Sequence, residues 1–348
     1  MGTSQTLEET RSFTPRRWLR GGHVQTLASF LIQRRFHLPA AAEERFVEVE
    51  PGVQVLCQCH WQADRTRALT IIIVHGLEGS SESQYMLGIT EKALEAGINV
   101  VRYNQRNCGG TDALAPVLYH SGLSNDVAAV VREVIARDRV SRFALVGFSM
   151  GGNIVLKLAG EWGTQAPPEF RAVAACCPAI DLAISSETLH QFSNRLYEKY
   201  FLWALHRRML QKAKLFPDHF DTSRLRGIRS LREFDDKVTA YYCGFTGVAD
   251  YYDRASAAHT VERIAVPTLI VHAANDPFIR ITAETRRKIS SNPNIVFVET
   301  ADGGHCAFIG PSGELPAESS DGAGNIRDGR FDDGYWAERE IVNFLRRF

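Results

Sequence analysis

Residues 143–160 read FALVGFSMGGNIVLKLAG, and the fold follows from this stretch. Phe143, Ala144, Leu145 and Val146 form an apolar run of the kind found in a strand buried on both faces, and Gly152 to Gly160 has the length and spacing of a buried helix. Between them lies Gly147-Phe148-Ser149-Met150-Gly151, a GxSxG turn. A serine held at the tip of a sharp strand-to-helix bend forces neighbouring backbone close together, so small residues must stand two positions to either side. Gly147 and Gly151 meet that need. Five residues of this pattern also occur by chance, but the strand before and the helix after make Ser149 a candidate nucleophile. The amide of Met150, at the positive end of the following helix, is a candidate donor to an oxygen that becomes negative during acyl chemistry.

Working outward, the same alternation repeats. Arg45 to Gln58 alternates apolar and polar residues around Pro51-Gly52, which predicts an antiparallel hairpin. Leu69 to Val74 is a buried strand ending at His75-Gly76, followed by a helix over Tyr85 to Ala96 and a strand over Asn99 to Tyr103. A helix over Ser124 to Ala136 precedes the GxSxG strand, and a strand over Val173 to Cys177 follows its helix. The pattern resumes with a strand over Thr268 to His272, a helix over Thr282 to Ile289, a strand over Ile295 to Val298 and a last helix over Tyr335 to Phe348. Such alternation predicts a doubly wound α/β fold with a mostly parallel sheet. The pattern breaks between 182 and 263, where aromatic residues and arginines crowd a stretch that reads as a helical cap inserted into a core of 45–181 and 264–348, with 1–44 as an N-terminal arm. In that arm Trp18 and Leu19 are expected to pack against the core, and Pro311 to Gly334 reads as a long polar loop.

Composition narrows the chemistry. Lys and Arg number 40, as do Asp and Glu, so no basic field exists to gather nucleic acid. Seven cysteines without CxxC pairs or a Cys/His ligand pattern argue for reduced thiols, no structural metal and a cytoplasmic setting. The polar, Arg-rich residues 1–20 lack the apolar core of a secretory signal, and apolar runs such as Ile71 to Val74 are far short of the ~20 residues of a spanning helix. Met1, Gly2 and Thr6 match a myristoylation pattern, which is short enough to be coincidental.

A serine hydroxyl needs a base to take its proton and an acid to orient that base, arriving later in the chain in the order Ser, acid, His. Asp276 stands just beyond the strand Thr268 to His272, in Asn275-Asp276-Pro277, at the carboxyl edge of the sheet where Ser149 also sits. Asp181, Asp250 and Asp253 are the competing acids, each better read as a helix cap or a solvated charge. His305 follows the strand Ile295 to Val298 through Gly303-Gly304, which gives its loop freedom to swing toward the serine. His75 and His272, at or within strands, read as structural. The loop His75-Gly76-Leu77-Glu78-Gly79-Ser80 offers the Leu77 amide as a second donor to a developing oxyanion. No Walker lysine or dinucleotide fingerprint accompanies these glycines, so no nucleotide cofactor is expected.

These motifs together resemble the AB hydrolase 4 family of the alpha/beta-hydrolase superfamily, a group of esterases and lipases. The resemblance spans nearly the whole chain: Trp18 to Thr26 (WLRGGHVQT), His75 to Ser80 (HGLEGS), Arg102 to Gly110, Tyr119 to Gly122 (YHSG), Gly147 to Gly152 (GFSMGG), the NDP at Asn275 and the GGH at Gly303. It implies an eight-stranded alpha/beta-hydrolase sheet with a cap, a charge relay on Ser149, Asp276 and His305, and ester hydrolysis without cofactor or metal; the aromatics of 182–263 point to an apolar acyl chain of short to medium length, as in an acylglycerol. Eukaryotic members typically carry an N-terminal membrane anchor, and this chain resembles the soluble members instead. Acyl transfer through the same residues, or ligand binding without turnover, are the alternatives.

Overall fold

The branched-aliphatic runs lie at the middle of the sheet, where both faces are covered. A computed structural model describes residues 12–38, 41–314 and 331–348. The Met1, Gly2 and Thr6 pattern and residues 315–330 of the polar loop fall outside the described residues. After helix α1 (Gly22–Leu31) the chain enters an antiparallel hairpin, β1 (Glu43–Glu50) and β2 (Val53–His60), and then β3 (Thr70–Val74), all five residues of which are buried. Helix α2 (Gln84–Glu95) leads to β4 (Asn99–Tyr103), α3 (Ser124–Asp138) to β5 (Phe143–Phe148), and α4 (Met150–Trp162) to β6 (Phe170–Cys176).

Four helices then interrupt the alternation: α5 (Leu182–Leu189), α6 (Arg195–Leu215), α7 (Leu231–Phe234), which runs on into a π-helical turn at Asp235–Ala240, and α8 (Val248–Ala255). The sheet resumes with β7 (Thr268–Ala273), α9 (Ala283–Ser291), β8 (Ile295–Thr300) and, past the polar loop, α10 (Trp336–Leu345).

The eight strands lie in the order β1-β2-β4-β3-β5-β6-β7-β8, with β2 antiparallel to both its neighbours, β1 and β4, and every other pair parallel. This is an alpha/beta-hydrolase fold. The chain steps from β3 outward to β4 and then back across to β5, so the order reverses beside β3. At such a reversal the loops leaving the carboxyl ends of adjacent strands part and leave a crevice. The loop after β3 carries Leu77 and the turn after β5 carries Ser149.

Two apolar layers cover the sheet. On one face Val127, Val130 and Val134 of α3, Ile154 and Leu158 of α4 and Ile289 of α9 pack with Ala257, Val261 and Ile264 from the segment leading into β7. On the other, Met86 and Ile89 of α2 meet Trp336, Ile341 and Phe344 of α10. Helices α5 to α8 share a third cluster of their own, built on Leu189, Leu205, Met209, Phe234 and Tyr252, which meets the core at Leu118, Ala179, Phe278 and Ile279, with Leu77 packed against it.

The N-terminal segment departs from expectation. Leu19 does pack beside a small cluster of Ala28, Ala307, Ile309 and Tyr335, but Trp18 is 81% exposed. What docks α1 is polar. Gln25, wholly buried, donates to the carbonyls of Leu19 and Ile309 and accepts from the Ile309 amide, replacing the water a backbone loop would otherwise need.

Candidate active site

Ser149 sits between the last residue of β5 and the first of α4 with φ 54° and ψ −119°, a backbone conformation that side-chain-bearing residues rarely adopt. The bend is closed so tightly that a Cβ on Gly147 would stand 2.3 Å from the Gly151 carbonyl oxygen, and one on Gly151 would stand 2.2 Å from that of Val74. The glycines are therefore required by close approach of backbone, as the sequence pattern demanded. A Cβ on Gly76 would meet the Ser149 Cβ at 3.1 Å, which places the loop after β3 directly against the serine.

His305 bridges the other two residues: its Nε2 lies 2.8 Å from the Ser149 hydroxyl and its Nδ1 2.7 Å from Asp276 Oδ2. Asp276 is wholly buried and its second oxygen accepts from the amides of Phe278 and Ile279, both at 3.0 Å. Burial alone would raise this carboxyl, but the facing His305, through charge and hydrogen bond, and the Ile279 amide hold it below the ordinary carboxylate range. A carboxylate here fixes the imidazole with its proton on Nδ1, leaving Nε2 as the acceptor for the serine proton. The ring of Phe278 packs at 4.2 Å from that of His305 and shields the pair.

The competing acids have other work. Asp181 accepts from the Thr282 amide and the Thr285 hydroxyl at the start of α9, Asp250 accepts from the Thr246 amide ahead of α8, and Asp253 pairs with His259. His75 is fully buried, and burial pushes it down to about 4, so it is neutral; its Nε2 accepts from the Gln105 amide, which leaves Nδ1 to donate to the Gly76 carbonyl. It braces the turn that carries Leu77. In that turn Gly76 donates to the Tyr85 hydroxyl, Glu78 to that of Tyr119 and Gly79 to the Gly76 carbonyl.

Three features of the surroundings carry no local sequence signal. The His305 amide donates to the Thr26 hydroxyl at 2.9 Å, so the N-terminal segment holds the histidine loop. The Glu78 carboxylate accepts from Arg208 of α6 at 2.8 and 3.0 Å and from Tyr119, tying the four-helix segment to the loop beside the serine. Lys212, also of α6 and wholly buried, donates to Asn107 Oδ1 and the Asp112 and Ala115 carbonyls. Arg106, Asn107 and Cys108 form a hydrogen-bonded turn, with Arg106 on Asp126 and Glu50.

A cavity of about 110 Å³ opens on Ser149, Met150 and Leu77 and is walled by Leu182, Leu189, Phe201, Leu205 and Phe278, with Asp235, Thr239 and Tyr252 on one side. Among the described residues, ligand atoms of Cys177, Asp276 and His305 lie within 4.8 Å of one another, as do those of Cys176, Cys177 and Cys306. The donor chemistry does not favour an ion: Asp276 and His305 are engaged with each other, and burial pushes the Cys176 and Cys177 thiols well above their ordinary range, so they stay protonated.

The model of the alpha/beta hydrolase fold family matches residues 70–311, from β3 through the histidine loop. The chain belongs to that family. This alpha/beta hydrolase is 31% identical over 303 residues to YheT of Escherichia coli (strain K12), a protein named as an esterase, covering 86% of this chain and 87% of that one. Phospholipase ABHD3 of Mus musculus is 27% identical over 307 residues (86% of this chain, 74% of that one), and monoacylglycerol lipase ABHD2 of Homo sapiens 28% identical over 317 residues (84% and 73%). Among solved structures, esterase Pf2001 of Pyrococcus furiosus superposes with a TM-score of 0.56 at 16% identity, covering 91% of this chain and 98% of that one, a likeness of fold. No helix among the described residues is long and apolar enough to cross a membrane.

Proposed function

We propose that this alpha/beta hydrolase cleaves carboxylic esters through an acyl-enzyme, with Ser149 as nucleophile, His305 as base and Asp276 as the acid that orients it. The observation that carries the reading is the unbroken chain of hydrogen bonds from Ser149 through His305 to Asp276, at 2.8 and 2.7 Å. The serine oxygen attacks the acyl carbonyl while its proton passes to His305 Nε2. The amides of Leu77 and Met150 receive the carbonyl oxygen as it becomes negative. Collapse of the tetrahedral intermediate expels the alcohol, which takes the proton from His305. Water then enters, loses a proton to the same nitrogen, and releases the carboxylic acid and free serine. No step calls for a metal or an organic cofactor.

Residues 182–263 form a cap over the core of 45–181 and 264–348 in this reading, and the acyl group lies beneath it. The apolar wall of Leu182, Leu189, Phe201, Leu205 and Phe278 supports an aliphatic acyl chain. At about 110 Å³ the cavity is smaller than the ~150 Å³ that accommodates benzene in an engineered apolar cavity, so as it stands it takes a short chain. The names of the relatives, esterase, phospholipase and monoacylglycerol lipase, support the ester class.

The test is intact-mass analysis after exposure to a fluorophosphonate, beside turnover of p-nitrophenyl esters of increasing chain length. Addition of one phosphonyl group that Ser149→Ala abolishes, with turnover best on the short esters and lost in the same variant, is the expected result. A folded protein that neither reacts at Ser149 nor turns over any ester defeats the assignment.

A further inference from the structure

Helix α1 is packed inside out. Its buried face presents Gln25 and Thr26 with Ala28, while Val24, Leu27, Phe30 and Leu31 point outward, the last two 65% and 77% exposed. Helices of globular proteins place side chains the other way round. The outer face of α6 repeats the arrangement, with Leu196, Tyr200, Trp203 and Leu210 exposed along one stripe. The two stripes join, because the Phe30 ring meets that of Tyr200 edge-on at 5.6 Å. An apolar surface of this extent is a site of association.

Charge identifies the partner. Residues 12–42 contain five arginines and no acidic residue, although the whole chain has a formal net charge of +0. In α6 the single acid, Glu198, is buried, whereas Arg195, Lys199 and Arg207 are exposed. Arg17, Arg20 and Arg35 are exposed as well, so both helices carry their apolar side chains among exposed positive charge, and Trp18 and Trp203 are exposed with them. Apolar side chains framed by arginine, lysine and tryptophan match the layered chemistry of an anionic lipid surface, with acyl chains below and phosphates above.

The surface also leads to the site. Tyr200 packs on Phe201, which lines the cavity at Ser149, and His23 of α1 stacks on Tyr197, whose ring meets Phe278 over His305. We propose that the outward faces of α1 and α6 form a docking surface for anionic lipid aggregates, which seats the protein with its acyl cavity next to the lipid. Both helices lie in the plane of the headgroups and their apolar stripes enter the acyl boundary.

Docking is measured apart from catalysis, by sedimentation of the 348-residue chain and its Ser149→Ala form with vesicles of non-hydrolysable ether lipids. Vesicles of phosphatidylcholine alone are compared with vesicles containing about one-third phosphatidylglycerol, on which partition is expected to be at least about tenfold stronger and to weaken with salt. The pair Phe30→Ser with Leu31→Ser, and separately Arg17→Glu with Arg20→Glu, should each lower partition by about tenfold or more while turnover of a soluble short-chain ester stays unchanged. Equal partition onto both vesicle types overturns the proposal, as does binding that neither variant alters. A dimer in solution that Phe30→Ser with Leu31→Ser dissolves would assign the surface to a second copy of the chain and overturn it too.

Discussion

The hydroxyl of Thr26 accepts a hydrogen bond from the backbone amide of His305 at 2.9 Å and itself donates to the Gly22 carbonyl at 2.7 Å. A helix near the start of the chain thus fixes the loop that presents the imidazole near its end. The fit is close, since a Cβ on Gly304 would fall 2.8 Å from the same Thr26 oxygen. Thr26→Val keeps the shape and removes the acceptor, leaving the His305 amide unpaired. We expect a stability loss of about 1–2 kcal/mol and a fall in kcat of about tenfold with KM little changed, because substrate binding is untouched while the base is less well aimed. Thr26→Ser should restore most of the rate. Thermal melts and steady-state kinetics on one soluble ester decide it; a kcat equal to the parent's would reduce Thr26 to a purely structural role.

How much of this site was legible before the structure depends on whether its parts are local. Ser149 announces itself by a turn whose glycines, strand and helix are contiguous, and Asp276 and His305 stand on loops just past buried strands, so periodicity alone placed them at one sheet edge. The eight-stranded sheet followed from the same alternation. Thr26, by contrast, meets a partner 279 positions away, and Glu78 meets Arg208 across 130. Neither pairing leaves a trace in local spacing. Trp18 misled, because a large aromatic is a good guess for a docking anchor and here Gln25 is the anchor instead. Lys212 carries no local signal and is wholly buried, its ammonium donating to three oxygens of the neighbouring loop.

Asp276 has both oxygens committed, one to His305 and the other to two backbone amides. Asp276→Asn can satisfy only one side. With its carbonyl toward Phe278 and Ile279, its amide nitrogen faces Nδ1 and drives the imidazole proton to Nε2, where it can no longer accept from Ser149. A loss in kcat of about four orders of magnitude is expected for this tautomer inversion. Fluorophosphonate labelling of Ser149 should slow in parallel. Retention of more than a tenth of the rate would mean that Asp276 is not the orienting acid.

Arg208 neutralises a Glu78 carboxylate whose side chain is only 8% exposed. Arg208→Met removes the guanidinium that lies over the Tyr119 ring and leaves a buried carboxylate with the Tyr119 hydroxyl as its remaining side-chain donor. A destabilisation of about 3 kcal/mol is expected. Because Glu78 follows Leu77 directly, kcat should also fall, and adding Glu78→Gln, which removes the stranded charge, should recover part of the stability but not the tether. Chemical denaturation of the two single variants and the double variant measures the coupling; additive losses would show that the ion pair is not what binds α6 to this loop.

Asp235 lines the cavity that opens on Ser149, where its carboxylate accepts from Tyr252 at 2.7 Å and Thr239 at 2.9 Å. Burial pushes its carboxyl up to about 6, against the two hydrogen bonds that favour the charged form. In the unfolded chain the same group releases its proton near pH 4. Between those values the folded protein binds more protons than the unfolded one, so stability from this group falls as pH rises from about 4 to 6 and stays at the lower level above. Asp235→Asn removes the titration while its carbonyl can still accept from Tyr252. The variant should gain about 2 kcal/mol at pH 7 and gain nothing at pH 4, and its stability should be flatter across that interval than the parent's. Denaturant midpoints at pH 4, 5, 6 and 7 test this directly, and a variant less stable than the parent at pH 7 would show that the charged carboxylate is held more firmly by Tyr252 and Thr239 than burial disfavours it.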